Sequence, residues 1–101
     1  MDKGHVAGIA AELGLPEVPE DWSGIDAVWP LLERMRSDGA TVLVKLDGER
    51  GPGDDGPYTA LVSRGRLGDG WVRTDEHSLE AALAHVIVRY AADGWGLPLP
   101  A

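Results

Sequence analysis

Histidine and serine are the side chains of this sequence that could carry proton transfer or nucleophilic attack near neutral pH. The three histidines, His5, His77 and His85, have no relay or ligand partner at a suitable spacing on the same predicted element. None of the four serines lies in a G-x-S-x-G nucleophile elbow. We therefore expect that the protein is not an enzyme. A cleft that joins a histidine, a carboxylate and the arginines of the predicted hairpin at 57–74 would instead favour an enzymatic function.

The segment 51–56 has the glycine spacing of the G-x-G-x-x-G fingerprint for dinucleotides. That site requires free backbone amides at the start of a helix. Here Asp54 and Asp55 add negative charge, and Pro57 leads into a predicted strand. We interpret 48–57 as a long, mobile hairpin loop and expect no nucleotide cofactor.

Asp47, Glu49, Asp54 and Asp55 offer oxygen atoms of the kind that Ca²⁺ prefers. An EF-hand needs glycine at its sixth position and glutamate at its twelfth, whereas proline and tyrosine stand there when counting from Asp47. The chain also contains no cysteine, which excludes disulfides and thiolate ligands. We expect a solvated acidic loop, no metal site and no cofactor.

Length and charge restrict the class of protein further. The 101 residues suffice for one domain, which we predict to span 1–101. Seventeen acidic residues against nine Lys and Arg leave a net charge of −8, which repels a phosphate backbone and disfavours direct nucleic-acid binding. The sequence shows neither a signal peptide nor an apolar run long enough for a membrane span, so we expect a cytoplasmic protein.

Two sets of charged residues are candidate contacts for a partner. The first is acidic, and a tryptophan lies within it. A basic spot on a predicted hairpin could grip a phosphate or an acidic partner, or could simply be the solvated face of a sheet paired with carboxylates. The acidic set comprises Glu17, Glu20, Asp21, Trp22, Asp54 and Asp55, and the basic spot comprises Arg64, Arg66 and Arg73.

Tryptophan is abundant, with four residues in a chain that lacks phenylalanine. Trp29 lies on the apolar stripe of a predicted helix, so we assign it to the core. Trp22 follows a proline-rich connection and Trp95 lies in a Gly/Pro-rich tail. Each of these two either folds back onto its own domain or anchors a partner.

Helical periodicity predicts three helices, at about 3–13, 23–38 and 76–93. Pro30 interrupts the second pattern, so this helix either bends at Pro30 or begins regularly near Trp29 after a separate turn. For the third helix, Asp75 is the expected N-cap. A flexible tail is expected at 95–101.

Alternating and β-branched residues predict strands at about 40–47, 57–65 and 70–74. The order of elements is then α-α-β-β-β-α. Since consecutive strands joined by hairpin connections pair antiparallel, we predict an α+β domain in which helices cover one face of a three-stranded antiparallel meander.

Four short stretches of the sequence form a recognisable combination. They are Val6-Ala7 in a helix that ends at Gly14, Asp21-Trp22-Ser23, Val28-Trp29-Pro30-Leu31-Leu32-Glu33 and Ser78-Leu79-Glu80-Ala81-Ala82-Leu83-Ala84. In these stretches the chain resembles the phage ABA-sandwich domain family over residues 6–92. The resemblance implies helices flanking a small sheet, an origin in phages, prophages or other mobile elements, and no established activity. The chain departs from the family in 48–57 and 95–101.

Two functions follow as expectations. In the first, the chain is a non-enzymatic interaction module and inhibitor, in the manner of an anti-CRISPR protein. Its carboxylates would occupy the basic nucleic-acid-binding surface of a host defence complex, such as a CRISPR effector or a restriction complex. In the second, it is a structural or accessory phage domain that forms a homodimer through a sheet edge or through Trp22 and Trp95.

Overall fold

The fold combines helices and an antiparallel sheet in the predicted order, which confirms the α+β class. The structure, a computed structural model, describes residues 2–51 and 53–98. Within them lie α1 (Asp2–Glu12), α2 (Trp29–Ser37) and α3 (Leu79–Asp93). The strands β1 (Ala40–Leu46), β2 (Tyr58–Arg64) and β3 (Trp71–Glu76) pair in the order β1-β2-β3, with 3₁₀ turns at Ile25–Val28 and Gly65–Leu67.

The sheet buries one face and leaves the other open. On the buried face, Val42, Val62 and Val72 lie side by side in register, and Val62 is fully buried. Both α2 and α3 pack on this face, while α1 packs mainly against α3. The open face carries Leu43 and Trp71, which are 59% and 65% exposed. Three strands with one covered face are enough to build a core.

The region around Pro30 follows the later-start alternative. A 3₁₀ turn, Ile25–Val28, precedes α2, which begins at Trp29 and has Pro30 in its first turn. A proline costs little there because its missing N–H would have no partner in the helix. The change of helical period turns Leu31 toward the core and leaves Trp29 51% exposed. The assignment of Trp29 to the core is therefore wrong.

The start of α3 lies later than predicted. β3 continues through Asp75 to Glu76, and the helix begins after Ser78, whose Oγ accepts the Ala81 N–H at 3.1 Å. Asp75 is therefore a strand residue that pairs with β2, and not the N-cap. Pairing with β2 satisfies the backbone N–H and C=O groups of Asp75 and Glu76, so these residues continue the strand. The acidic residues before the helical stripe therefore do not mark the first turn of α3.

The connections pack more closely than their composition suggests. Trp95 lies edge-on to Tyr90, with ring centroids 5.0 Å apart, and the Leu97 N–H donates to Ala91 O at 3.0 Å. The predicted flexible tail thus folds back as far as the structure describes it, while 99–101 lie outside the described residues.

Across residues 2–51 and 53–98, no helix has the length and apolar character required to cross a membrane.

Candidate functional site

The acidic connection, residues 13–24 between α1 and the first 3₁₀ turn, is held in place by two buried side chains. Val18 is 4% exposed and Trp22 is 3% exposed. The Trp22 indole Nε1–H donates to the Lys3 carbonyl at 2.9 Å, and the Lys3 ammonium lies 5.8 Å from the centroid of the Trp22 ring. These contacts fasten the connection to α1, so its backbone presents outward side chains from a fixed support.

A second anchor ties the connection to α3. The Gly24 N–H donates to Glu80 Oε2 at 2.9 Å. This bond to the ionised form lowers the pKa of Glu80, with a smaller contribution from its own backbone N–H at the start of the helix. The carboxylate therefore stays charged while it holds the end of the connection.

The outward side chains of this connection are acidic. Glu17, Glu20 and Asp21 are all exposed. Within the part of the chain that the structure describes, none of the three forms an ion pair within 4.0 Å, whereas Asp2 lies 3.5 Å from His85 Nδ1. Three exposed carboxylates on a fixed backbone, none of them in an ion pair within 4.0 Å among the described residues, generate a local negative potential that is open to a partner.

Trp22 does not belong to that surface. Its ring fills the core beneath the connection, so this predicted partner-binding residue packs inside its own domain. Trp95 is used inside the domain as well, since its Nε1–H donates to Asp38 Oδ2 at 2.8 Å. Of the two options for these rings, folding back onto the domain is the one observed.

Arg50 orders the loop 48–57. Its Nη1 donates to Gly56 O at 2.9 Å and lies 3.2 Å from Asp75 Oδ1, while its Nε lies 3.5 Å from Asp47 Oδ2. The Asp47 carboxylate also accepts the Glu49 N–H at 3.0 Å, which lowers the pKa of Asp47. These contacts tie the described residues near both ends of the loop to the sheet, and the mobility that its glycines predict stays a prediction.

The two candidate acids of the loop differ in what they do. Asp54 Oδ2 accepts the Gly51 N–H at 2.8 Å, so this carboxylate closes its own turn. Asp55 is exposed and lines an open depression beside Trp71 and Arg73. Of these two acids, Asp55 is therefore the one whose carboxylate forms no hydrogen bond within the loop among the described residues.

One end of the acidic connection and one end of the loop lie toward the start of α3. Gly24 reaches Glu80 in the first turn of α3, and α3 follows the last residue of β3, Glu76. Glu76 is in register with Tyr58, which the loop immediately precedes. The hydrogen bond at Gly24 and the strand register at Glu76 thus bring the last residues of both segments to the side of the domain where α3 begins.

The three arginines of the basic spot do not act as one group. Arg66 Nε lies 3.7 Å from Asp38 Oδ1, and Arg73 Nη2 lies 3.3 Å from Asp75 Oδ1. Arg64 ends β2 with a φ of 65°, an uncommon value for a residue other than glycine, and lines a separate depression. The interpretation as a sheet face paired with carboxylates fits Arg73, whereas Arg66 reaches its carboxylate from the 3₁₀ turn Gly65–Leu67.

Exposed apolar side chains on β1 and beside it are not among the predicted site residues. A groove of about 300 Å³ runs between α2 and β1 and is lined by Ile25, Trp29, Leu32 and Val44 among others. Leu43 interrupts the polar alternation of β1, and that interruption was the signal available in the sequence. The result is an apolar edge on an otherwise acidic chain.

A histidine-containing groove, but no cluster of metal ligands, is found in the described part of the chain. Among residues 2–51 and 53–98, no group of three or more His, Asp or Glu side chains is arranged to hold a metal ion. The groove between α1 and α3 contains His5 and Glu12 but is otherwise lined mainly by apolar residues and glycine. The arginine hairpin does not line this groove.

Comparisons with protein-family models, with curated proteins and with solved structures find no match to this chain. The exposed charged and apolar surfaces of the domain are therefore the features that bear on its function.

Proposed function

We propose that this chain is a non-enzymatic interaction module whose acidic connection binds a basic surface on a partner protein. The observation that supports the proposal is the fixed display of Glu17, Glu20 and Asp21 above the buried side chains of Val18 and Trp22. A preorganised set of charges loses less entropy on binding than a flexible acidic tail.

Charge mimicry is the physical route. Carboxylates spaced along a rigid surface can occupy the Arg and Lys side chains that otherwise hold phosphates. Asp55, which is exposed in the loop 48–57, is a further carboxylate that such a partner could contact. The natural partner for such a surface is a nucleic-acid-binding protein, and association driven by opposite charges is fast and sensitive to salt.

The resemblance to phage ABA-sandwich domains directs the proposal to a class of partner. A protein encoded by a mobile element gains from blocking a host complex that recognises nucleic acid, such as a CRISPR effector or a restriction complex. On this proposal the chain is an inhibitor that competes with DNA or RNA for the same basic residues.

Capture from a host lysate tests the proposal when release is measured as well. The immobilised chain should retain a basic protein at low salt and lose it at high salt. A duplex DNA or structured RNA added at low salt should release the same protein, because both ligands occupy one surface. Retention that resists both salt and nucleic acid would contradict charge mimicry.

A matched pair of variants assigns the surface. Glu17→Gln/Glu20→Gln/Asp21→Asn removes three negative charges from the acidic connection, and Glu33→Gln/Asp69→Asn/Asp93→Asn removes three elsewhere. Since all six side chains lie at least partly in solvent, both proteins should fold. Loss of capture only in the first variant supports the proposal, and equal capture by both variants removes the acidic connection from it.

A further inference from the structure

β1 is the less protected of the two edge strands of the sheet. Its seven residues pair with β2 in one unbroken register, without a bulge or a proline, and Lys45 is its one charged residue. β3, the other edge, carries Arg73, Asp75 and Glu76. Natural sheets block their edges with charges, prolines and bulges, so β1 is the edge that is open to a further strand.

Two hydrogen bonds show which backbone groups of β1 point away from β2. The Asp47 N–H donates to Pro57 O at 2.8 Å, which makes 47 and 57 a hydrogen-bonded pair. Because such pairs alternate along an antiparallel ladder, the odd-numbered residues of β1 bond to β2 and the even-numbered ones point away. The Arg64 N–H bond to Gly70 O follows the same alternation between β2 and β3. Val42 and Val44 therefore turn their N–H and C=O groups outward.

We propose that a second copy of this chain pairs with β1, strand to strand and antiparallel, across a twofold axis at Leu43. This register places Val42 opposite Val44 of the second copy, so the outward backbone groups of both strands bond to one another. It places the two Leu43 side chains face to face on the open side of the sheet. The two sheets become one sheet of six strands.

The side chains around β1 suit a second copy. On the helix side, Trp29 and Leu32 line the groove beside Val42 and Val44, and a second β1 would bring its own valines over it. On the open side, the pairing covers Leu43, which is 59% exposed in the single chain. An isologous contact of this kind requires a surface that complements itself.

Charge also favours this face over the rest of the surface. Two copies that each carry a net charge of −8 repel one another in most orientations. The groove contains one acid and one base, Glu33 and Arg36, which form an ion pair at 3.1 Å. The register at Leu43 sets Lys45 opposite Thr41, so it brings no like charges together. This face is therefore one on which self-association meets little repulsion.

Disulfide trapping is a direct test, because the chain has no cysteine of its own. At the twofold axis the two Leu43 Cα atoms form a non-hydrogen-bonded pair about 4.5 Å apart, within the range for a disulfide. Under mild oxidation, Leu43→Cys should form a covalent dimer about tenfold faster than Trp71→Cys, an equally exposed position on β3. Equal rates, or faster trapping at Trp71, would overturn the proposal.

Sedimentation velocity of the unlabelled chain completes the test. We expect a species of twice 10.7 kDa at micromolar concentrations, and a monomer under all conditions would overturn the proposal. Leu43→Lys should weaken the dimer, whereas Trp71→Lys should not. Val44→Pro removes an N–H that points outward, so the single chain should keep its fold by circular dichroism while pairing is lost.

The effect of salt concentration distinguishes dimerisation from the binding of a basic partner. Dimerisation through backbone hydrogen bonds and apolar side chains should persist or strengthen as salt screens the net negative charge. Binding of a basic partner through the acidic connection should weaken under the same conditions. Failure of one proposal therefore leaves the other standing.

Discussion

A hydrogen bond between Tyr90 and Asp38 joins the end of α3 to the end of α2. The Tyr90 hydroxyl donates to Asp38 Oδ2 at 2.9 Å and accepts the Arg66 backbone N–H at 2.9 Å. The same Asp38 oxygen accepts the Trp95 indole N–H at 2.8 Å. One carboxylate and one phenol thus connect the end of α2, the end of α3, the hairpin between β2 and β3, and the segment after α3.

Removing the Tyr90 hydroxyl should destabilise the domain. Tyr90→Phe leaves the Arg66 N–H without its acceptor and removes one of the two donors to Asp38 Oδ2. A buried group left unsatisfied in this way costs about 1–3 kcal/mol. Urea denaturation should show that loss in the free energy of unfolding. Tyr58→Phe is the control, because the Tyr58 hydroxyl has no hydrogen bond among the described residues, and an equal loss there would contradict the role of Tyr90.

Alkaline pH should weaken the fold through the same residue. Burial raises the pKa of Tyr90, with its hydrogen bond to Asp38 acting in the same direction. A raised pKa in the folded state means that stability is complete below the ordinary tyrosine pKa of about 10 and falls as pH rises through the folded value. Urea midpoints measured above pH 10 should therefore fall more steeply in the wild type than in Tyr90→Phe. Parallel curves would argue against this assignment.

Gly65 is required at the turn that Tyr90 holds. Its φ is 56°, and a Cβ there would lie 2.7 Å from the Tyr90 hydroxyl and 2.8 Å from Ala40 Cβ. Gly65→Ala should therefore add a steric clash to the backbone strain and cost about 3 kcal/mol. Gly68→Ala, with a φ of 63° but no atom within 4 Å of the added Cβ, should cost about 1 kcal/mol. Thermal denaturation of the two variants compares them, and similar losses would show that the clash is relieved.

Arg50 should control the order of the loop 48–57. Arg50→Gln removes the ion pairs to Asp47 and Asp75, so we expect the backbone amides of the loop to exchange with solvent faster. Hydrogen exchange followed by mass spectrometry would locate the change. Arg36→Gln, which removes the exposed pair with Glu33, should leave exchange in the loop unaltered. Unchanged exchange in the Arg50 variant would mean that the glycine-rich backbone is held by other contacts.

Acid should loosen the acidic connection through Glu80. The bond from the Gly24 N–H lowers the pKa of Glu80 in the folded state. The stability it contributes is present above the ordinary glutamate pKa and is lost as pH falls through the lowered value. Glu80→Gln should therefore flatten the decline in stability below about pH 5, whereas Glu12→Gln, at an exposed position on α1, should not. Identical acid profiles for both variants would contradict the role of the Gly24 bond.

Much of the fold could be read from local pattern. The alternation in Thr41, Val42 and Val44 and the helical stripe around Leu83 and Ile87 follow from the two backbone periods, which are properties of neighbouring residues. The exposure of Glu17, Glu20 and Asp21 could be expected in the same way, because unpaired carboxylates rarely enter a core. Charge and periodicity are local quantities, so the sequence by itself determined the class of fold and the sign of its surface.

Other features depended on contacts between distant parts of the chain. Trp22 and Trp29 have similar side chains, but the first is buried against Lys3 and the second lies half in solvent beside the edge of β1. Arg50 orders a glycine-rich loop only because the sheet brings Asp75 to it. Burial and pairing depend on which surfaces the fold brings together, and no window of neighbouring residues contains that information. The tertiary structure alone decided which tryptophans, arginines and strand edges remain available to a partner.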